Sequence, residues 1–248
     1  MTYSDDPFPH WVVDDWLPED MAQHAYDHWY EGDGAWISRH HLYSRHKKTR
    51  THGCGPDVEY ALCALESPGM LAYVSALTGV EGLHSDFLRY GGGQHVTSTG
   101  GSLGIHADFT HHPTIGLRRA LNVLVYLNRE TTMSGALQLW DAEMTACRAT
   151  VLPAWNRAVI FKTSPTSFHG HPDPLDGPER RSLAAYYYVK PTISQMVTVT
   201  GASATQYATI SSPVEILMDD YLGTTDYRPR PWEYKLRLRR WLSRRIKG

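Results

Sequence analysis

Three short segments hold side chains that together could bind a metal ion and an organic acid: residues 106–108, His169 and residues 180–182. His106 and Asp108 are two residues apart, and alternate side chains of a strand point to the same face, so the imidazole and the carboxylate can converge on one ion. His169 lies much later, among turn residues, and can supply a third ligand. Two histidines and one carboxylate on one face predict a metal site with open coordination positions.

The open positions and the third segment indicate what chemistry such a site would support. Two nitrogen ligands and one oxygen ligand on one face are typical of non-haem Fe(II) oxygenases, whose open positions take an oxidising co-substrate and O2. Arg180 stands at the start of a predicted strand, and Ser182 follows on the same face. An arginine can bind a carboxylate through two parallel hydrogen bonds, to which a hydroxyl group adds another. An organic acid that chelates iron through its other end would bind in this way.

Each segment has a competitor in the sequence. His84-Ser-Asp86 repeats the His-x-Asp spacing, so the spacing alone is a weak signal, and a surface turn is the structural alternative for either pair. Arg181 is the competing arginine, although strand alternation points it away if Ser182 faces inward. His171 is the competing third histidine. The sequence of His111 and His112, just after the metal segment, fits either the substrate mouth or a polar turn.

The elements that must position these residues change character along the chain. Residues 18–30, 57–66 and 68–78 are predicted helices, the first with a proline and acidic residues in its first turn. Residues 31–56 have no clear period, which predicts a long loop with at most short strands, and a loop of this length often borders a site. The loop fits either a lid over an anionic substrate or a solvated surface, and its basic residues are His40, His41, Arg45, Lys47, Lys48 and Arg50.

After the helices the sequence predicts mainly strands. Short β-like segments separated by Gly, Pro and Asn are typical of an antiparallel sandwich or barrel. Helices followed by strands give an α+β fold in which helices pack on a β core. A further helix is predicted from Ser212 to about Tyr221. The predicted strands are 9–16, 83–90, 94–98, 103–109, 120–127, 136–140, 148–152, 157–162 and 182–189, together with one or two within 195–211.

The composition is that of an ordinary globular chain. The 248 residues are 42% hydrophobic and 20% charged, with a formal net charge of −2. No stretch reaches the roughly 18 apolar residues of a membrane span. The acidic N-terminus lacks the pattern of a secretory signal, and three cysteines without a close pair argue against a disulfide framework. A cytoplasmic location is therefore expected.

The C-terminal segment differs from the rest. Residues 235–248 contain seven basic residues and no acidic one, interleaved with apolar residues. This pattern permits an amphipathic basic helix. Such a helix can lie on an anionic membrane, contact nucleic acid or a partner, or pack against the protein's own acidic surface.

Taken together, six segments resemble the Fe(II)/2-oxoglutarate-dependent dioxygenases, specifically the prolyl 4-hydroxylase-like branch. The resemblance runs from about Leu88 to Val189, and the order and spacing of all six segments match. It favours His106 over His84, because the His-x-Asp of the family follows the Tyr-Gly segment. The matching segments are Leu88-Arg-Tyr90-Gly-Gly-Gly, His106-Ala-Asp108, Leu124-Val-Tyr126-Leu-Asn128, Ser134-Gly135-Ala-Leu-Gln-Leu-Trp140, His169-Gly170 and Arg180-Arg-Ser182.

The resemblance implies a role for each matching residue. It implies that Fe(II) is bound by His106, Asp108 and His169, the last favoured over His171 by its spacing to Arg180. It implies that Arg180 binds the distal carboxylate of 2-oxoglutarate, and that the residues around that co-substrate are Ser182, Tyr126, Leu137 and Tyr90. Many prolyl hydroxylases have Lys where Arg180 stands, which weakens the inference to a prolyl substrate.

The resemblance also implies the fold, the cofactors and the reaction. The implied fold is a double-stranded β-helix (jelly-roll or cupin-like) within one oxygenase domain: helical support and a loop in residues 1–82, the β core in 83–190, and an extension with the basic helix in 191–248. The cofactors are Fe(II), 2-oxoglutarate and O2, with ascorbate as an accessory reductant. Hydroxylation of a small-molecule or peptide-like substrate is expected, and Asp108 favours it over halogenation, because related halogenases have a small residue there.

Two other functions fit part of the same evidence. The first is a non-catalytic metal-binding cupin-like protein that retains the scaffold only. The second is a protein- or nucleic-acid-modifying hydroxylase that its basic tail directs to the target. Metal content and oxygen consumption distinguish the first from a hydroxylase, and deletion of residues 235–248 tests the second.

Overall fold

The computed structural model describes residues 1–41, 43–191, 206–209 and 212–214. Antiparallel strands dominate these residues, with three helices in the N-terminal part, which is consistent with a jelly-roll fold. The helices are α1 (Glu19–Asp27), α2 (Pro56–Leu65) and α3 (Pro68–Thr78). The strands are β1 (Thr2–Ser4), β2 (His10–Val13), β3 (Ile37–His41), β4 (Ser44–Arg50), β5 (His84–Ser85), β6 (Gly93–Ala107), β7 (Arg118–Tyr126), β8 (Leu137–Trp140), β9 (Cys147–Val151), β10 (Arg157–Lys162), β11 (His169–His171), β12 (Arg180–Val189), β13 (Gln206–Thr209) and β14 (Ser212–Val214).

The long strand β6 connects the parts of the sheet that carry the candidate site. Its first half pairs with β12, where Thr97 faces Arg180, and its second half pairs with β11, where His106 faces His169. On its other side it pairs with β4 and β13. The strand order β1-β2-β10-β7-β12-β6-β11-β8-β9 then brings residues from distant parts of the sequence to one barrel interior.

Alternation along β7 separates the two faces of the sheet. Leu121, Val123 and Val125 join a cluster with the helices, whereas Tyr126 belongs to a second cluster that includes Phe161. The first cluster is the main core, in which apolar residues of the three helices cover the outer face. The second cluster lies on the face that carries the candidate site, since the ring centroid of Phe161 is 4.6 Å from that of His169.

The three predicted N-terminal helices are confirmed, and local sequence explains their ends. Proline occupies the first turn of both α2 and α3, where its missing N–H costs nothing. The hydroxyl of Ser67 accepts a hydrogen bond from the Met70 N–H at the start of α3, and Gly79 ends that helix with a φ of 67°. Within the described residues no single helix is long and apolar enough to span a membrane, although α2 and α3, bent by 45° at their junction, meet the length and composition test as a pair.

One local prediction was incomplete and two were wrong. The predicted loop 31–56 contains the β3–β4 hairpin, and β4 pairs with β6. This strand was not predicted as part of the sheet because its residues are mostly polar. The predicted strand 83–90 is reduced to β5, because the chain turns at Arg89, which has a φ of 47°. Residues 212–214, where a helix was predicted to begin, form β14, and the rest of that predicted helix lies outside the described residues. The basic helix predicted at 235–248 lies outside the described residues.

A buried arginine fixes the turn that precedes β6. The guanidinium of Arg89 contacts Glu59 (Nη1 to Oε2, 2.6 Å) and Glu66 (Nε to Oε1, 2.5 Å) on α2 and its following turn. Another of its N–H groups donates to the Thr51 carbonyl. Burial by itself would raise the pKa of Glu59, but hydrogen bonding to Arg89 lowers it below its ordinary value. The charge network therefore stabilises the fold while the Glu59 carboxylate is ionised.

Replacing Arg89 with methionine should lower the free energy of unfolding by about 3 kcal/mol at neutral pH, because two carboxylates lose a buried partner. A depressed carboxyl pKa contributes stability above its ordinary pKa and loses it as the pH falls. The difference between wild type and Arg89→Met should therefore shrink in acid. Urea unfolding of both proteins at neutral pH and in acid measures this difference in the free energy of unfolding. Arg148→Met, which removes an exposed pair with Asp6, is the matched control and should cost less than about 1 kcal/mol; an equal loss in both variants would contradict the role given to Arg89.

Candidate metal centre

The structure brings His106, Asp108 and His169 together at one end of the barrel. One ligand atom from each lies within 4.8 Å of the others, and this is the one group of three or more potential metal ligands found among the described residues. The Nε2 atom of His106 is 3.6 Å from Asp108 Oδ1, and the Nε2 atom of His169 is 3.5 Å from Asp108 Oδ2. The three side chains thus present two nitrogens and one carboxylate to a shared point.

Backbone carbonyls orient both imidazoles. The Nδ1 atom of His106 is 2.8 Å from the Gly104 carbonyl oxygen, and that of His169 is 2.9 Å from the Ser167 carbonyl oxygen. A carbonyl only accepts, so each Nδ1 carries the hydrogen and each Nε2 has a lone pair directed at the shared point. Burial lowers the pKa of His106 to about 3 and also lowers that of His169. Both rings are therefore neutral near pH 7, as metal binding requires.

A buried arginine holds the carboxylate of Asp108. Oδ2 of Asp108 accepts hydrogen bonds from Arg119 Nη2 (2.9 Å) and Asn122 Nδ2 (2.6 Å). The Arg119 guanidinium in turn lies 3.3 Å from the ring centroid of Tyr186. Burial alone would raise the pKa of Asp108, but the charge of Arg119, together with the hydrogen bond from Asn122, keeps it below its ordinary value. Asp108 is thus an ionised carboxylate in a fixed orientation. Arg119 and Asn122 were not predicted from the sequence, because only strand pairing brings them to Asp108.

A second group of buried residues has the charge and the hydrogen-bond donors that would suit a carboxylate. Arg180 is buried; its Nε donates to the Gly135 carbonyl (2.9 Å) and its Nη2 donates to the Tyr126 hydroxyl oxygen (2.8 Å). Tyr126 and Leu137 belong to the same buried cluster. Burial raises the pKa of Tyr126, so its hydroxyl stays protonated and can donate to a ligand. Ser182, also buried, is the register partner of Tyr126.

The neighbouring arginine lies on the opposite face of β12. The guanidinium of Arg181 is 4.8 Å from the ring centroid of Tyr26 and donates to the Tyr26 carbonyl, so it packs against α1. Tyr90 is 40% exposed, and its ring packs against Phe109 and His112. It therefore borders the loop after Asp108.

The rival His84/Asp86 pair does not converge on one point. Asp86 accepts hydrogen bonds from the backbone N–H groups of Leu88 and Tyr90 and from Nε2 of His112, which ties two loops together. His84 is exposed in β5. Asp86 and His112 form a structural pair, so the turn alternative holds for His112.

The basic residues of the β3–β4 hairpin have separate environments. Arg50 is fully buried, with its Nε donating to Gln94 and its Nη2 donating to the Trp29 carbonyl, which makes it part of the framework. Lys47 is half-buried, and its charge lowers the pKa of both His106 and His169, so it lies near the metal centre. Lys48 and Arg45 are exposed, and the side chains of His40 and His41 lie outside the described part of the structure.

Comparison with known proteins supports an iron-binding centre, as the geometry of the three clustered side chains does. Residues 85–188, which include all the residues of the centre, match the family model of the 2OG-Fe(II) oxygenase superfamily. The predicted resemblance is confirmed. The 2OG-Fe(II) oxygenases require Fe(II), 2-oxoglutarate and O2, and the described centre has the donor set that Fe(II) needs. A search of curated proteins with the full sequence found no match.

Solved structures share the fold at low sequence identity. A 2OG-Fe(II) oxygenase family oxidoreductase from Burkholderia pseudomallei is 12% identical, with a TM-score of 0.54 over 72% of this chain and 84% of that one. HygX from Streptomyces hygroscopicus, solved with nickel, 2-oxoglutarate and hygromycin B, is 11% identical, with a TM-score of 0.53 over 77% and 91%. A prolyl hydroxylase from Trichoplax adhaerens, solved with a hypoxia inducible factor peptide fragment, is 13% identical, with a TM-score of 0.50 over 72% and 83%.

Proposed function

We propose that this protein is an Fe(II)- and 2-oxoglutarate-dependent dioxygenase that hydroxylates an unactivated C–H bond of a small-molecule or peptide-like substrate. The observation that supports this most is the convergence of His106, Asp108 and His169 in the same barrel as the buried Arg180–Tyr126 pair. In the overall reaction one oxygen atom of O2 enters the substrate C–H bond and the other enters succinate, while 2-oxoglutarate loses CO2.

The three clustered side chains would hold the metal. Two neutral imidazoles and one ionised carboxylate give a bound Fe(II) one net positive charge and leave other positions of the metal open. Fe(II) held by these residues would supply the activation of O2 that the oxidation of a C–H bond needs. The Arg119 and Asn122 hydrogen bonds keep Asp108 in its ligating orientation. Asp108 itself occupies the position that a halide would need, which supports hydroxylation rather than halogenation.

The arginine pocket would hold the co-substrate. Two N–H groups of Arg180 are already directed by Gly135 and Tyr126, so the guanidinium is oriented before an acid arrives. Its charge and the Tyr126 and Ser182 hydroxyls suit the distal carboxylate of 2-oxoglutarate, and Leu137 suits its methylene groups. The apolar cluster around Tyr126 limits water at this end, which strengthens the ion pair.

The substrate class stays broad because the fold accommodates different ligands. HygX is solved with hygromycin B, a small molecule, and the Trichoplax prolyl hydroxylase with a peptide fragment. In this chain Phe109, directly after Asp108, packs against the ring of Tyr90, so two aromatic rings lie beside the centre. These rings would contact the apolar part of either kind of substrate.

Wild-type protein mixed anaerobically with Fe(II) and 2-oxoglutarate should show a weak visible charge-transfer band, because the acid chelates the metal. After O2 is admitted, succinate should form slowly even without substrate. Absorption spectroscopy and succinate assay measure the two results. A protein that binds Fe(II) but neither shows the band nor consumes O2 would instead be a non-catalytic metal-binding protein. Succinate release stimulated by members of a substrate panel would then identify the substrate class.

A further inference from the structure

His171 is a buried histidine for which the proposed mechanism has no role. It ends β11, two residues after His169, and its side chain is 1% exposed. Within the described part of the chain neither Nδ1 nor Nε2 of this ring has a hydrogen-bond partner. The metal-binding group of His106, Asp108 and His169 does not include it.

The two unpaired nitrogens make His171 unlike the histidines next to it. His106 and His169 each place Nδ1 against a backbone carbonyl. An imidazole carries at least one N–H in any protonation state. Leaving such a buried group without a partner costs about 1–3 kcal/mol, so a site that keeps one in its interior is built to pair it with something else.

The position of His171 indicates what that partner is. His171 is two residues from the metal ligand His169 on β11 and lies opposite Leu103 of β6, with a shift in the β6–β11 register between the two histidines. The charges of Arg180 and Lys47, and the ring of His106, all act on it. His171 therefore adjoins His169 along β11 and lies close enough to Arg180 and Lys47 for their charges to act on it. An organic anion that is held by Arg180 and also reaches the metal would come within range of this ring.

We infer that His171 is a further binding residue for 2-oxoglutarate and donates an N–H hydrogen bond to a carboxylate oxygen of the co-substrate. The inference rests on the proposed function. It adds to the arginine, serine and tyrosine contacts a donor at the middle of the site, which positions the acid between Arg180 and the metal. It also explains why a polar ring is kept at a position whose burial would suit an apolar residue.

The role predicts opposite effects on stability and binding. His171→Leu fills the same space without unpaired nitrogens, so the ligand-free protein should melt at a higher temperature than wild type. The same variant should bind 2-oxoglutarate at least about 10-fold more weakly, since one hydrogen bond to a charged group is lost. His171→Asn retains an N–H donor and should lose less affinity than His171→Leu. A merely structural histidine would give lower stability without weaker binding.

The experiment is calorimetric titration of the Mn(II)-loaded protein with 2-oxoglutarate, together with the melting temperature of each ligand-free variant. His10→Leu is the matched control: His10 is also buried, but its Nδ1 is paired with the Phe8 carbonyl. This control should melt lower and bind 2-oxoglutarate as wild type does.

Each outcome decides a separate point. If wild type binds no 2-oxoglutarate, the proposed function fails. If wild type binds it and His171→Leu binds it equally well, or if His171→Leu melts lower than wild type, the role of His171 fails and the proposed function stands. If His171→Leu does not fold, the affinity of His171→Asn decides: binding weaker than wild type supports the role, and unchanged binding together with a lower melting temperature overturns it.

Discussion

Replacing Asp108 with alanine should abolish both retention of Fe(II) and formation of succinate. Asp108 is the one carboxylate of the metal-binding group. Its removal leaves two neutral imidazoles and brings the uncompensated charge of Arg119 next to the metal position. Loss of an outer partner of a ligand typically costs 10- to 100-fold, so loss of the ligand should reduce succinate formation by more than about 100-fold. Metal analysis after anaerobic Fe(II) loading and a succinate assay measure the two effects.

Two variants separate ligand loss from general damage. Asp108→Asn keeps the shape but not the charge, and should retain little metal, because an amide oxygen is a weaker ligand. His84→Ala changes the exposed histidine of the other His-x-Asp pair and should retain wild-type metal content and activity. Full Fe(II) binding by Asp108→Ala, with the protein folded, would remove the metal role of Asp108.

Replacing Arg180 with leucine should weaken 2-oxoglutarate binding far more than it changes the metal site. Arg180 is the buried cation of the pocket, and truncating one member of a buried charged pair costs about 2–5 kcal/mol. That range corresponds to roughly 30-fold to several thousand-fold in affinity. Arg180→Lys keeps the charge, so it should lose less affinity for 2-oxoglutarate than Arg180→Leu. It cannot make two parallel hydrogen bonds, so it should still bind more weakly than wild type. Titration of the anaerobic Fe(II) protein with 2-oxoglutarate, followed by the charge-transfer band, gives the affinity.

Arg181→Leu is the matched control for Arg180, one residue away on the other face of β12. Arg181 packs against α1 through Tyr26, so this change should lower stability but leave 2-oxoglutarate affinity unchanged. Equal loss of affinity in both variants would show that the strand, not the pocket, had been damaged. Unchanged affinity in Arg180→Leu alone would contradict the assignment of the pocket.

The sequence allowed prediction of the centre where chemistry and spacing are local. His106 and Asp108 were found from alternation on one strand, and the opposite directions of Arg180 and Arg181 follow from the same rule. The three helices were predictable because their apolar residues and proline starts are local signals. Within this chain, the six spaced segments were needed to connect these pieces into one family fold.

Features that depend on pairing between distant strands could not be predicted. Arg119 reaches Asp108 only because of the barrel geometry, and no local pattern marks it. The strand β4 was not predicted, because its many cations show no apolar alternation. Pairing with β6 stabilises it instead. His171 was considered only as a competing metal ligand, because its unpaired nitrogens are visible only once its surroundings are known.

The pairing of His106 directly opposite His169 has a consequence for mutational tolerance. The ring centroids of these two histidines are 4.5 Å apart. Opposed residues of antiparallel strands have a nearly constant separation, so the backbone sets this distance more than the side-chain rotamers do. A slip of one residue between β6 and β11 would turn one imidazole to the opposite face of the sheet. Insertions or deletions in either strand should therefore be as damaging as loss of a ligand, whereas length changes in the connecting loops leave the two rings in place.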